Sequence, residues 1–189
     1  MIIDHFISAL RSGDEQAFKK LVETYRQKVF NTAISLVQDN ELAEDISQEV
    51  FVTIYRSVSS FNEKSTLSTW IYRITVNKCL DHLRAKKRKN FDLFSRFFNN
   101  DIIENKPVFD HPGIQLEKRE TARYLFEAIE TLPHNQKSVF VLAHIEELSQ
   151  KEIAEIMNLS IKAVESLLQR AKANLRKKLS VIYDRRKIN

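Results

Sequence analysis

Glycine and proline are nearly missing from this sequence. Gly13 and Gly113 are its two glycines, and it has three prolines in 189 residues. So few backbone breakers cannot supply the tight turns of a many-stranded sheet, and long helices are favoured instead. Cysteine is almost absent as well. Lone Cys79 excludes an internal disulfide, which fits a reducing cytoplasm. There is no run of about 18 apolar residues, so no membrane-spanning helix is expected. The opening MIIDHFISALRSGDE holds acids and no basic leader, unlike a signal peptide. His5, His82, His111, His134 and His144 are scattered without metal-ligand spacing, and two distant glycines make no phosphate loop. The expectation is a protein that is not an enzyme and needs no metal or cofactor.

What is present is charge, unevenly placed. The net charge is +5. Residues 1–85 are close to balanced, and Lys86, Lys87, Arg88 and Lys89 then follow in a row. An acidic stretch over 91–117 precedes a basic C-terminal part, most concentrated over 162–189. Two basic concentrations separated by acid suggest two contacts with a polyanion. A solvated charged surface is the plainer account of any one such run.

Apolar spacing divides the chain into helices. Phe18, Leu21, Val22, Tyr25, Val29, Ala33 and Val37 recur at helical intervals, with Asp14 placed to cap them. A second helix starts near Asp39–Asn40 and carries Leu42, Ile46, Val50, Ile54 and Val58. A third, from about Leu67 to Ala85, carries Tyr72, Val76, Cys79 and Leu83. Residues 90–115 hold Gly113, Pro107 and Pro112 and read as a flexible linker, with Phe91, Phe94, Phe97, Phe98 and Phe109 as unusual occupants. The expected fold is all-α: a helical domain over 1–89, the linker, and a second helical domain over 116–189.

The second domain is the more explicit. A helix is expected to end near Thr131, with Pro133 in the first turn of the next. Ser149 and Glu152 form a capping box ahead of a short helix bearing Ile153, Ala154 and Ile156. Asn158-Leu159-Ser160 makes the turn, and a long helix follows with Ile161, Val164, Leu168, Ala171, Leu175 and Leu179 inward. Its outer face offers Lys162, Ala163, Glu165, Ser166, Gln169, Arg170, Lys172 and Arg176. Short polar and forked basic side chains on one helix suit base edges in a major groove, and the later cations suit phosphates. A helical hairpin with a wet basic face is the alternative.

The stretch LPHNQKSVFVLAHIEELSQKEIAEIMNLSIKAVESLLQRAKANLRKKL resembles the C-terminal domain of bacterial RNA polymerase sigma factors. That resemblance implies contact with the −35 promoter element through Lys162, Glu165, Ser166, Gln169, Arg170, Lys172 and Arg176. Asn158 stands where the family usually has glycine, and Glu165 where many members carry a base. DNELAEDISQEVFVTIYR resembles the family's polymerase-binding helix, with Glu41, Glu44, Asp45, Gln48 and Glu49 as its outer stripe. Carboxylates one turn apart suit a basic partner surface, and acids are also favoured near any helix N-terminus. STLSTWIYRITVNKCLDHLRAKKRK resembles the helix that opens and reads the −10 element. The implied strand-binding residues are Phe61, Trp70, Arg73, Asn77, Arg84, Lys86 and Lys87, by stacking and phosphate attraction. Core packing competes as the role of Trp70. The short two-domain form is similar to the extracytoplasmic-function (ECF) group. This implies core RNA polymerase, promoter DNA and an anti-sigma factor as partners, in the cytoplasm. A conventional DNA-binding regulator and a DNA-inactive decoy for an anti-sigma factor are the rivals.

Overall fold

In the computed structural model, residues 2–96 and 119–186 are described, with side chains over 5–86, at 88 and over 122–180. The described residues are helical, without strands. Helices α1 (Ile2–Arg11), α2 (Glu15–Val37), α3 (Asn40–Ser57) and α4 (Leu67–Arg96) build the first domain. Helices α5 (Arg119–Glu130), α6 (His134–His144), α7 (Gln150–Met157) and α8 (Ile161–Arg186) build the second.

Side chains in the sequence set the helix starts. Asp14 Oδ1 accepts the Ala17 N–H at 2.7 Å and caps α2. Asp39 Oδ1 does the same for Leu42 at 3.1 Å and caps α3. Each satisfies an N–H that the first helical turn leaves without a partner. The Thr66 hydroxyl accepts the Thr69 N–H at 3.1 Å at the start of α4. That helix runs on through Arg96, past the Lys89 boundary expected from sequence. No glycine or proline lies between Lys86 and Arg96 to stop it. Phe97, Phe98 and Phe109 lie outside the described residues.

Helices α2, α3 and α4 pack on one another around Leu21, Val29, Ala33, Ile46, Val50, Ile54, Val76 and Cys79, all essentially inaccessible. The anticipated stripes are therefore the core stripes, with Leu42 and Leu83 at their partly buried edge. Burial pushes the Cys79 thiol up to about 12, so it is an inert core residue.

In the second domain, Ser149 and Glu152 form the expected capping box, and Asn158 closes α7 in the left-handed conformation (φ 52°, ψ 50°). Pro133 lies one position earlier than expected, as the residue preceding α6. Val164, Leu168, Ala171 and Leu175 of α8 are buried against α5, α6 and α7. Ile161 is not part of that stripe: as the first residue of α8 it lies 47% exposed, beyond the reach of the packed helices.

The two domains share one continuous core. Helix α6 lies on α2, and α7 lies on α4. This explains why every residue from Thr32 to Val37 is buried, although a helix packed on one side only should bury a stripe. Hydrogen bonds among the described residues cross between the domains. Lys137 Nζ donates to the Leu36 carbonyl at 2.9 Å, and Gln38 Nε2 to the Phe126 carbonyl at 3.0 Å. Tyr72 donates its hydroxyl to Glu146 Oε2 at 2.9 Å, and Arg73 Nη2 donates to the Glu155 carbonyl at 2.7 Å.

Burial raises the Glu146 carboxyl above its ordinary value, against hydrogen bonds from Tyr72 and Thr32 and the nearby Lys28 charge. The packed state thus favours the protonated acid. Its contribution is present below the ordinary carboxylate range and lost as pH rises through the raised value. Glu146→Gln should therefore raise the melting temperature at neutral pH by a few degrees and flatten the decline from acid to neutral. Thermal melts across that range check both; an unchanged pH profile would remove Glu146 as the cause.

Candidate nucleic-acid and partner interfaces

Three faces carry the residues singled out from sequence. The first is the outer side of α3. Capping by Asp39 and burial of Ala43, Ile46, Val50 and Ile54 turn Glu41, Glu44, Asp45 and Gln48 to solvent, where all four are exposed. Among the described residues, the three carboxylates have no ion-pair partner. Glu49 is different. It is half-buried and bound to α4, with Lys78 Nζ at 3.0 Å and His82 Nε2 at 3.1 Å. The Lys78 hydrogen bond, with His82 behind it, holds its carboxyl below the usual range. Glu49 braces α3 against α4 rather than joining the free stripe.

Sequence reasoning missed two residues on this face. Val52 and Tyr55 are 49% and 57% exposed and continue the line of Asp45 and Gln48 by one and two turns. The edge-to-face contact of Phe18 with Tyr55, 5.1 Å between centroids at 75°, steadies the tyrosine ring. Two apolar residues at outward positions were the available signal.

The second face is on α4. Asn77, Arg84 and Lys86 are exposed, and Arg84 pairs loosely with Asp81 at 3.3 Å. The Lys87 side chain lies outside the described residues. Trp70 is half-buried, its ring 5.1 Å from that of Phe61. Phe61 itself is 3% exposed, and the Arg11 guanidinium donates to its carbonyl. In this conformation Phe61 supports Trp70 from below and does not reach out toward a base. Arg73 points into the domain boundary, with its Nε buried and unpartnered.

The third face is on α8. Ser160 Oγ accepts the Ala163 N–H at 3.2 Å and sets the helix start. Lys162, Glu165, Gln169, Arg170, Lys172 and Arg176 are exposed, and Ser166 is half-buried between them. None of the four cations in that set pairs with a carboxylate among the described residues. Phosphate and base edges are therefore open to them. Among the described residues no three His, Cys, Asp or Glu side chains converge as a metal site, and no helix is long and apolar enough to cross a membrane.

A short helix, a left-handed turn and a long basic-faced helix define a helix-turn-helix DNA-binding protein, joined here to an acidic-faced helical domain. The chain matches the Sigma-70 region 2 family over residues 21–89 and the Sigma-70 region 4 family over residues 122–175. It is 33% identical over 176 residues to the ECF RNA polymerase sigma-E factor of Haemophilus influenzae, covering 92% of this chain and 93% of that one. It is 30% identical over 190 residues to the ECF RNA polymerase sigma factor SigW of Bacillus subtilis, covering 95% and 97%. Its fold is similar to that of CnrH, solved in complex with the cytosolic domain of CnrY, with a TM-score of 0.67, 25% identity, and 93% and 96% of the chains covered. It is also similar in fold to the sigma factor RpoE from Bartonella quintana, solved with the anti-sigma factor NepR, with a TM-score of 0.68, 22% identity, and 87% and 97% covered. The chain belongs to the ECF RNA polymerase sigma factors, and its function is that of a transcription initiation factor.

Proposed function

We propose a division of labour among the three faces. Glu41, Glu44, Asp45 and Gln48, extended by Val52 and Tyr55, dock on a basic surface of core RNA polymerase. Trp70, Asn77, Arg84 and Lys86 hold the separated strand of the −10 element, with Arg73 joining them when the domains part. Lys162, Glu165, Ser166, Gln169 and Arg170 meet bases of the −35 element, while Lys172 and Arg176 hold phosphates. Phe61 serves by supporting Trp70, and Glu49 by fixing α3. The chain has no catalytic role of its own and works in the cytoplasm, in keeping with its lone buried thiol. An anti-sigma factor is its regulator. The solved structure of CnrH with CnrY supports a helical partner-binding fold of this kind.

One observation carries this reading: a single chain presents an acidic stripe on α3 and a basic face on α8, both without ion-pair partners among the described residues. A DNA-binding regulator needs the second and has no use for the first. In vitro transcription with core polymerase and genomic DNA is the test. Initiation at discrete sites that depends on this protein is expected. Tight, specific duplex binding by the protein alone, without stimulation of core, would point to a conventional regulator instead.

Asn77 supplies a narrower check. Its amide is exposed on α4 and can read the edge of an unpaired base. Asn77→Ala should lower initiation about tenfold on closed duplex, roughly the worth of one base contact, and clearly less on a pre-melted template. Equal defects on both templates would contradict a role in opening.

A further inference from the structure

Helix α1 carries none of the three faces. It lies on α2 and on the Val58–Ser60 turn that follows α3, with Ile7 and Leu10 buried beneath it. Its end is held in one direction. Gly13 takes a left-handed φ of 80°. The Gly13 N–H donates to the Leu10 carbonyl at 3.2 Å, and the Asp14 N–H to the Ala9 carbonyl at 3.0 Å. These bonds close α1 on its own last carbonyls while the Asp14 side chain starts α2. Arg11 follows Ile7 by four residues and so stands on the same side of the helix. Burial of Ile7 thereby turns Arg11 toward the connection between α3 and α4.

There the Arg11 guanidinium donates to the Phe61 carbonyl, and it pairs with Glu63 Oε1 at 2.8 Å. Glu63 has φ 58°. A residue with a side chain seldom adopts that conformation, and it keeps it only where its surroundings fix it. Asn62 Oδ1 accepts the Lys64 N–H at 3.3 Å within the same turn. One cation from 50 positions earlier thus ties the backbone at Phe61 and the side chain at Glu63, on either side of Asn62. The Phe61 ring lies just below Trp70, the aromatic group of the strand-binding face. An exposed ion pair adds little to global stability. Selecting one conformer of a short connection asks much less of it.

We propose that Arg11 is a positioning residue for promoter opening: from α1 it clasps Phe61 and Glu63, and through Phe61 it sets the Trp70 ring in the orientation that stacks on an unpaired base. This rests on the assignment of α4 to strand binding. Without the clasp the connection samples other conformers, and Phe61 backs Trp70 in only some of them. Strand affinity then falls by the fraction of molecules still competent, about tenfold if one in ten keeps the clasped form. The acidic stripe on α3 and the basic face on α8 use other residues and keep their function.

Trp70 is the sole tryptophan of the chain, so its emission reports the clasp directly. The test uses the full chain, with a labelled short single-stranded DNA of mixed sequence as probe. Arg11→Ala should make Trp70 more open to quenching by acrylamide and weaken strand binding about tenfold. Its melting temperature and its binding to core polymerase should stay close to wild type. Glu63→Asn keeps a residue that tolerates the left-handed backbone and removes only the charge, so it should lose strand affinity less. It also serves if the first variant does not fold. Arg11→Lys, one ammonium for two acceptors, should recover part of the loss. Trp70→Ala separates the two assignments. Wild-type quenching and strand affinity in Arg11→Ala, beside a loss in Trp70→Ala, would overturn the clasp and leave the strand-binding face of α4 standing. Wild-type strand binding in both variants would overturn both. A fall in melting temperature and core binding that matches the loss of strand affinity would make Arg11 a general support and likewise end the proposal.

Discussion

Asp45→Lys is expected to weaken binding to core polymerase by roughly ten- to a hundredfold, equivalent to about 1.4–2.8 kcal/mol. Asp45 is exposed in the middle of the α3 stripe, one turn after Glu41 and one turn before Gln48. Its carboxylate has no ion-pair partner among the described residues, so the free protein loses no salt bridge in the exchange. The new ammonium turns the local attraction for a basic surface into repulsion, and it weakens the negative field that Asp45 shares with Glu41 and Glu44. Screening sets a second expectation. The defect should shrink as salt rises from 0.1 to 1 M, where the Debye length falls from about 10 to about 3 Å. Glu49→Gln separates docking from folding. Because Glu49 binds Lys78 and His82 within its own domain, that change should lower the melting temperature and affect core binding far less. Co-purification of Asp45→Lys with core at wild-type yield in low salt would end the assignment of this face.

The contrast between Asp45 and Glu49 marks how far sequence could be read. Periodicity placed both on the outer side of one helix, and it correctly set Ile46, Val50 and Ile54 inward. It could not show that α4 crosses close enough for Lys78 and His82 to capture Glu49, because that depends on the crossing of two helices distant in sequence. Capping signals were local and therefore legible. Asp14, Asp39, the Ser149–Glu152 box and left-handed Asn158 act within a few residues of themselves. Phe61 and Arg73 were harder. Phe61 sits in a connection that gave no sign of burial, yet it lies under Trp70. Arg73 has the spacing of a strand-facing residue, and its guanidinium is held by a carbonyl 82 positions along the chain. The burial of Thr32 through Val37 and of Lys137 through Leu142 follows from the packing of one domain on the other, for which neither domain alone carries a periodic signal.

Arg170→Ala should reduce transcription from a cognate promoter by roughly five- to 150-fold, the equivalent of about 1–3 kcal/mol for a bidentate contact with guanine. Arg170 is exposed on α8, one turn beyond half-buried Ser166, and Leu168 and Ala171 on either side of it are buried and fix its direction. A guanidinium offers its donors in a planar fork, which lysine cannot imitate, so Arg170→Lys should recover only part of the loss. The informative measurement is initiation across a promoter library varied base by base in the −35 element. Loss of Arg170 should relax preference at one position and leave the others ranked as before. Arg176→Ala should behave differently. That side chain lies farther along α8, where a phosphate is the expected partner, so its loss should weaken all promoters alike and reduce the salt dependence by about one counterion. A uniform decline from Arg170→Ala, with no base preference altered, would make Arg170 a second phosphate contact. Recognition would then pass to Lys162, Glu165, Ser166 and Gln169, on the turns of α8 that enter the groove first.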